Sequence, residues 1–174
     1  MILSDKDIRN LIENSILGIE PFVISQIGPT SIDLRLGYTL VKYDAEIIDL
    51  GKATPKCTEI LLNANEGYTL LPKEFVLGCT LEKIRMPNSY QGFIETKCDI
   101  ARAGLQIHNC DGHVDPGNNN TITLEISNVN TIPIRIYPEI FICQMFIHSL
   151  TSECEQPYKG KYYGQTRPSA YKIK

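Results

Sequence analysis

Glu125 lies in the stretch TITLEIS, residues 121–127, where Ile122, Leu124 and Ile126 alternate with Thr121, Thr123 and Glu125. Strict alternation marks a half-buried strand, so Glu125 shares a face with two threonines. If that face looks to solvent, Glu125 is a surface carboxylate, the usual fate of glutamate. If it looks into a cleft, desolvation lifts the acid towards neutrality and suits it to accept and then donate a proton. The period admits both readings. A second stretch, KCDIAR at 97–102, sets a thiol and a carboxylate, Cys98 and Asp99, between two cations, Lys97 and Arg102. The cations suit an anion, or a nucleophilic thiolate at Cys98; Asp99 opposes both.

A third stretch, DGHVDPG at 111–117, reads as a tight irregular connection. Gly112 and Gly117 admit positive φ and Pro116 fixes a turn. Such a loop lets backbone amides approach a ligand, or simply joins two strands. His108, His113 and the six cysteines form no CxxC, no H-E-x-x-H, and no H-x-E with a later P-C-x-x-C. The spacing therefore predicts no metal ligands and lacks the zinc-deaminase signature. GxxxxGK[ST] and GxSxG are also absent, which removes support for P-loop and α/β-hydrolase chemistry. Without a sign of an oxidising compartment, the cysteines read mostly as small buried hydrophobes.

These residues need a scaffold. Ser4, with Asp7 three positions on, marks a helix start. Ile8, Leu11, Ile12 and Ile16 share a helical face, predicting a short amphipathic helix over 4–16. The period then becomes two, with Ile32, Leu34 and Leu36 alternating in 32–37. Strands are predicted at 38–43, 46–50, 58–62, 68–71, 74–85 and 121–127, with two more split by Pro138. Many short strands between closely spaced turn residues predict an all-β sandwich or barrel. The organisation is a single domain over 1–174, with a flexible tail after about residue 155.

The chain's 174 residues suffice for one well-formed core. The apolar run FICQMFI, 141–147, is too short to cross a bilayer. MILSDKDIRN lacks a basic region followed by an apolar one, so a cytoplasmic chain without membrane partners is predicted. A net charge of −3 argues against a general nucleic-acid surface. Its distribution is uneven. Residues 157–174 hold Lys159, Lys161, Arg167, Lys172 and Lys174 and no acid. Residues 93–128 hold Lys97 and Arg102 against Glu95, Asp99, Asp111, Asp115 and Glu125. The basic tail is a solvated segment or a cover for the acidic middle.

Several stretches, taken in order, resemble a known family. MILSDKDIRNLIE at the start, PTSIDLRLG at 29–37, IARAGL at 100–105, GHVDPG, ITLEI at 122–126 and PYKGKYYGQTRPS at 157–169 carry the resemblance. They are similar to the dCTP deaminases and bifunctional dCTP deaminase/dUTPases of the trimeric dUTPase-like superfamily. The resemblance implies a mainly all-β fold, a distorted jelly-roll or β-barrel of the dUTPase-like type with a short N-terminal helix. It also implies a homotrimer with intersubunit sites. The implied activity is hydrolysis of dCTP to dUTP and ammonia without zinc. A dUTPase or bifunctional enzyme is one alternative, and a repurposed paralogue is another. Gly112, three residues before Asp115, resembles the bifunctional members. Mg²⁺ is implied only through the nucleotide's phosphates, and dUTP and dTTP are further candidate ligands.

By the same resemblance, Glu125 takes a proton from the water that attacks C4 of cytosine, then delivers protons as ammonia leaves. Arg102 assists. Thr123 and Leu124 line the nucleotide, and Asp115 lies beside sugar and base. Lys97, Cys98, Asp99, Ile100 and Ala101 occupy the phosphate loop, where Cys98 stands at a position of the catalytic set. Gln144 belongs to the substrate contacts. Tyr158, Lys161 and Gln165 match residues of a basic lid, 155–174, that folds over the nucleotide and is disordered until ligand arrives.

The chain departs from the family's R-S-S-L-A-R at four positions of that loop, of which Ile100 for leucine is conservative. Lys97 loses the planar fork of arginine, Cys98 is a weak donor, and Asp99 repels phosphate. Asp99 is tolerable if it turns away, if it pairs with Lys97 or Arg102, or if it holds magnesium; otherwise the ligand is no longer a triphosphate. Asn118-Asn119-Asn120 replaces an aromatic-x-Gly segment near the base.

Overall fold

The computed structural model describes residues 1–110 and 112–173. Asp111, the first residue of DGHVDPG, and Lys174, one of the tail cations, lie outside the described residues. Helix α1 spans Asp5–Glu13. Ser4 caps it as predicted, accepting the Asp7 amide at 3.4 Å and donating to Asp7 Oδ2 at 2.9 Å. Ile8 and Leu11 are buried. The helix stops before residue 16: Asn14 caps it, Ser15 takes φ +57°, and Ile16 is left exposed.

The strands are β1 (Gly18–Glu20), β2 (Ser31–Arg35), β3 (Thr39–Tyr43), β4 (Cys57–Leu61), β5 (Tyr68–Leu70), β6 (Phe75–Arg85) and β7 (Tyr90–Thr96). A short helix α2 (Cys98–Arg102) follows, then β8 (Leu105–Gln106), β9 (His113–Val114), β10 (Asn119–Asn128), β11 (Ile134–Ile136) and β12 (Phe141–Ser149). One sheet runs β4-β3-β6-β10-β8, with β1 also on β6; a second runs β2-β12-β7-β9; β5 and β11 form a ribbon. Leu34, Ile94 and Met145 of the second sheet meet Leu40, Val76, Leu124 and Ile126 of the first in one continuous core. The fold is therefore mainly β with a short N-terminal helix, as predicted. Its sheets are hydrogen-bonded separately and touch through an isolated bridge between Leu36 and Thr80, so no closed barrel forms.

Two predicted features differ. Residues 46–50 form no strand, because Ile47 and Leu50 project into solvent with no neighbouring strand to pair. Ile122 does not join Leu124 and Ile126 in the interior. The β10–β6 register slips there, with Thr121 opposite Lys83 but Thr123 opposite Cys79. In this bulge Thr80 Oγ1 accepts the Ile122 amide at 2.9 Å, a side chain standing in for a missing ladder carbonyl. Ile122 is left half-buried at the core's edge, and Thr121 is buried instead.

A buried charge ties β6 to β2 near the bulge. Glu82 has no exposed surface and accepts Arg35 Nε at 2.7 Å, the Arg35 amide at 2.9 Å and Gln26 Nε2 at 2.9 Å. Both carboxylate oxygens are thus satisfied, which a buried charge requires. The cysteines depart from expectation: only Cys79 and Cys143 are buried, while Cys57, Cys98 and Cys110 are exposed. Burial pushes the Cys79 thiol up to about 11 and raises Cys143 further, so neither is a ready thiolate.

Candidate active site

Strand β10 turns Glu125 away from the core while Leu124 and Ile126 point into it. Glu125 lines a cleft of about 550 Å³ with Tyr43, Phe75, Leu77, Thr123, Tyr162 and Gln165 among its walls. The face that carries Thr123 and Glu125 therefore looks into a cleft. One carboxylate oxygen, Oε2, accepts the backbone N–H of Asn109 at 2.7 Å. The Glu125 amide in turn donates to Ile107 O at 2.8 Å. The loop after β8 thus holds both the backbone and the carboxylate of Glu125. Tyr43 stacks on Phe75 with ring centroids 6.3 Å apart, forming an apolar wall opposite. Such a wall beside one positioned carboxylate suits a planar ring bound next to a proton carrier.

The tail does not trail into solvent. Tyr158 donates its amide to Pro116 O at 2.9 Å, where Gly117 takes φ +80° and a Cβ would lie 2.5 Å from Pro157. Gln165 Nε2 donates to Thr121 O and Thr123 Oγ1, each at 3.0 Å. The Ser169 amide donates to Thr123 Oγ1 at 3.3 Å, and the Tyr171 amide to Tyr43 Oη at 3.0 Å. Tyr171 Oη accepts the Gly51 amide at 2.8 Å. Residues 157–173 therefore run as a strap along β10 and across to β3, contrary to the flexible tail expected from composition. Backbone hydrogen bonds, invisible in a charge count, fix it there.

Of the sequence-predicted residues, Glu125, Thr123 and Gln165 share the main cleft. A smaller adjoining cleft of about 170 Å³ brings Asp115 together with Tyr158, Gln165 and Thr123. Lys161 sits on the strap, its Nζ 5.0 Å from the Tyr162 ring centre and 5.6 Å from that of Tyr171. Leu124 is 1% exposed, so its side chain belongs to the core.

The KCDIAR stretch folds apart from these clefts. Cys98, Asp99, Ala101 and Arg102 are exposed on α2 and Ile100 packs against the core. None lines the Glu125 cleft among the described residues. Lys97 Nζ contacts Asp33 Oδ2 at 2.6 Å. Asp99 accepts its neighbour's amide, Ile100 N–H, at 3.0 Å, and makes no ion pair among the described residues. Of the ways in which Asp99 could be tolerated, pairing with Lys97 or Arg102 is not made among the described residues; Asp33 holds the lysine. Gln144 lies on β12 between Asp33 of β2 and Glu95 of β7, in the other sheet and likewise outside the cleft. Sequence reasoning missed Tyr43, Phe75, Leu77, Asn109, Tyr162 and Tyr171, which come from distant segments and share no spacing.

Two sheets packed around one core form a fold also seen in a solved deaminase. The crystal structure of 2′-deoxycytidine 5′-triphosphate deaminase from Agrobacterium tumefaciens matches with a TM-score of 0.67, at 21% identity over 85% of this chain. The chain spans about half of that protein's length, 47%. The family model described as dCTP deaminase-like matches residues 2–150. A protein of Sulfurihydrogenibium sp. (strain YO3AOP1) named "dCTP deaminase, dUMP-forming" is 42% identical over 178 residues, covering 99% of this chain and 97% of its own. One of the same name from Aquifex aeolicus (strain VF5) is 42% identical over 166 residues, covering 95% and 91%. The chain belongs to the dCTP deaminase-like family.

Proposed function

We propose that this protein deaminates dCTP hydrolytically and carries the product on to dUMP, releasing ammonia and pyrophosphate. The observation that carries the reading is Glu125, a carboxylate held by the Asn109 amide at 2.7 Å inside a cleft with an aromatic wall. Glu125 takes a proton from water as the oxygen bonds to C4 of cytosine. It returns protons to the departing nitrogen, the C4–N bond breaks, and a C4 carbonyl remains. A second water splits the bond between the α- and β-phosphates, with Asp115 of the smaller cleft beside it. The dUMP product, in place of dUTP, is favoured by the name shared by relatives about 40% identical across nearly the whole chain.

Arg102 and α2 lie outside the cleft within one chain, so the reading includes a homotrimer in which a neighbouring copy brings its α2 to the nucleotide. Among the described residues, no group of three or more His, Cys, Asp or Glu side chains is arranged to hold a metal ion. Magnesium in this reading rides on the nucleotide, where it neutralises phosphate charge. No helix among the described residues is long and apolar enough to cross a membrane. A cytoplasmic location accompanies the reading.

The test is a product assay with dCTP and with dUTP, each with Mg²⁺, alongside Glu125→Gln. Ammonia and dUMP from dCTP, both lost in the variant, is the expected result. Accumulating dUTP would restrict the protein to deamination, and pyrophosphate from dUTP alone would make it a dUTPase. Neither product from a folded trimer would overturn the reading in favour of a repurposed paralogue.

A further inference from the structure

We infer that Asn118 and Asn120 are a positioning pair that sets the strap on the cleft, acting through Gly164 on Gln165. Three consecutive asparagines after a turn suggest a solvated loop. Yet Asn118 is 5% and Asn120 4% exposed. Burying two carboxamides is costly unless their polar atoms are paired.

They are paired in one directed relay. The Gly164 amide donates to Asn120 Oδ1 at 2.5 Å. Asn120 Nδ2 donates to Asn118 Oδ1 at 2.8 Å, and Asn118 Nδ2 donates to Ile84 O at 2.9 Å. Each end fixes the orientation: an N–H must face an oxygen at Gly164, and a carbonyl must face an NH₂ at Ile84. The relay therefore runs from strap to strand β6 in one sense only, and linked hydrogen bonds of this kind reinforce one another.

What the relay positions is the next residue. Gln165 accepts the Thr121 amide at 3.1 Å through its own carbonyl, while its Nε2 is taken by Thr121 and Thr123. Its Oε1 is buried without a hydrogen-bond partner among the described residues. Gln165 itself borders both the Glu125 cleft and the Asp115 cleft. Gly164 takes φ +79° with open space around a would-be Cβ. Its backbone geometry, not crowding, makes glycine fit at the point where Asn120 grips the strap.

The experiment compares the full-length unaltered chain with Asn120→Gly and Asn120→Asp. Without nucleotide, trypsin cleavage after Lys161 and exchange of the Gly164 amide should quicken about tenfold in Asn120→Gly, the share of one net hydrogen bond. Asn120→Asp keeps an acceptor for Gly164 but sets an oxygen against Asn118 Oδ1 where the NH₂ donated, so it should fall between the unaltered chain and Asn120→Gly, quickened by about threefold. Unchanged strap exchange in a folded Asn120→Gly protein, or equal loss in both variants, would overturn the inference. Should Asn120→Gly fail to fold, the unaltered chain decides. Its Gly164 amide must exchange at least about tenfold more slowly than the amide of Lys161, whose backbone N–H donates no hydrogen bond among the described residues; equal rates would overturn it.

A kinetic arm rests on the proposed function: KM for dCTP should rise about tenfold in Asn120→Gly with kcat within about twofold. If the unaltered chain turns over no dCTP, that reading falls. The exchange and proteolysis results, which need no nucleotide, still decide the positioning role.

Discussion

Asn109 donates its backbone N–H to Glu125 Oε2 at 2.7 Å, so a loop residue sets the direction of the one carboxylate that lines the main cleft among the described residues. The bond uses the peptide group alone. Any residue with an amide hydrogen can make it, and only proline cannot.

Asn109→Pro should therefore lower kcat for ammonia release by about tenfold or more, with KM within about threefold, since it disturbs the reacting group more than the binding surface. Steady-state kinetics, with circular dichroism to confirm folding, checks this. Asn109→Ala should stay close to the unaltered rate.

Asp99 has no cation of its own among the described residues and lies exposed on α2. Asp99→Ser should tighten binding of a triphosphate by about three- to tenfold at low salt, solvent screening keeping the effect below a bare Coulomb estimate. Calorimetry with dCTP on the Glu125→Gln background reads it. Equal affinities would show that α2 does not meet phosphate.

Glu82 is wholly buried and holds Arg35 and Gln26. Glu82→Ala leaves a largely buried guanidinium without its partner and should cost about 3–5 kcal/mol in urea unfolding. A loss under about 1 kcal/mol would show that the cluster relaxes into water.

Glu74 offers a pH test. Burial pushes its carboxyl up, but the hydrogen bonds from Lys42, Tyr68 and the Leu71 amide, with the charge of Lys42, together hold it below the ordinary value. A lowered folded value stabilises the fold above the unfolded pKa, and that stability is lost as pH falls through the folded one. Lys42 is raised mainly by its bond to Glu74, and Tyr68 by burial and then Glu74, so their contributions are lost at the alkaline end. Glu74→Gln should be less stable at pH 7 by on the order of 2 kcal/mol, with the gap closing below about pH 4. Thermal melts across that range check the sign.

Removing residues 157–174 takes away Gln165, Tyr162 and Tyr171 from the cleft wall. KM for dCTP should rise by at least about tenfold, while thermal stability of the body changes little, because its core lies in the sheets.

Much of the scaffold was legible. The Ser4 cap, the alternation around Leu34 and the long β6 segment were visible in residue periodicity. Strand β7 was not, because Gly92 sits where an inward side chain would mark the period. A Cβ there would lie 2.9 Å from Met145 and 3.0 Å from Val114, so close packing removed the signal that alternation needs. Helix α2, five residues long, is too short for a helical period. At the candidate site, Glu125 was singled out by the alternation of β10 and Gln165 by the resemblance, and both line the cleft. The aromatic wall was not singled out, since Tyr43, Phe75 and Tyr171 meet only after β3, β6 and the strap are folded together.

The ion pair between Lys97 and Asp33 has a consequence for where ionic strength acts. With Lys97 matched by Asp33, and Asp99 beside Arg102, α2 and its approach present no surplus of positive charge. The strap brings Lys159, Lys161 and Lys172, none ion-paired among the described residues, while Arg167 reaches Glu59 at 3.4 Å. In the proposed reaction, attraction for a triphosphate therefore resides in a segment laid over the body by hydrogen bonds, not in the body itself. Salt should govern how long the nucleotide stays more than the chemistry done on it, and most of that salt dependence should leave with the strap.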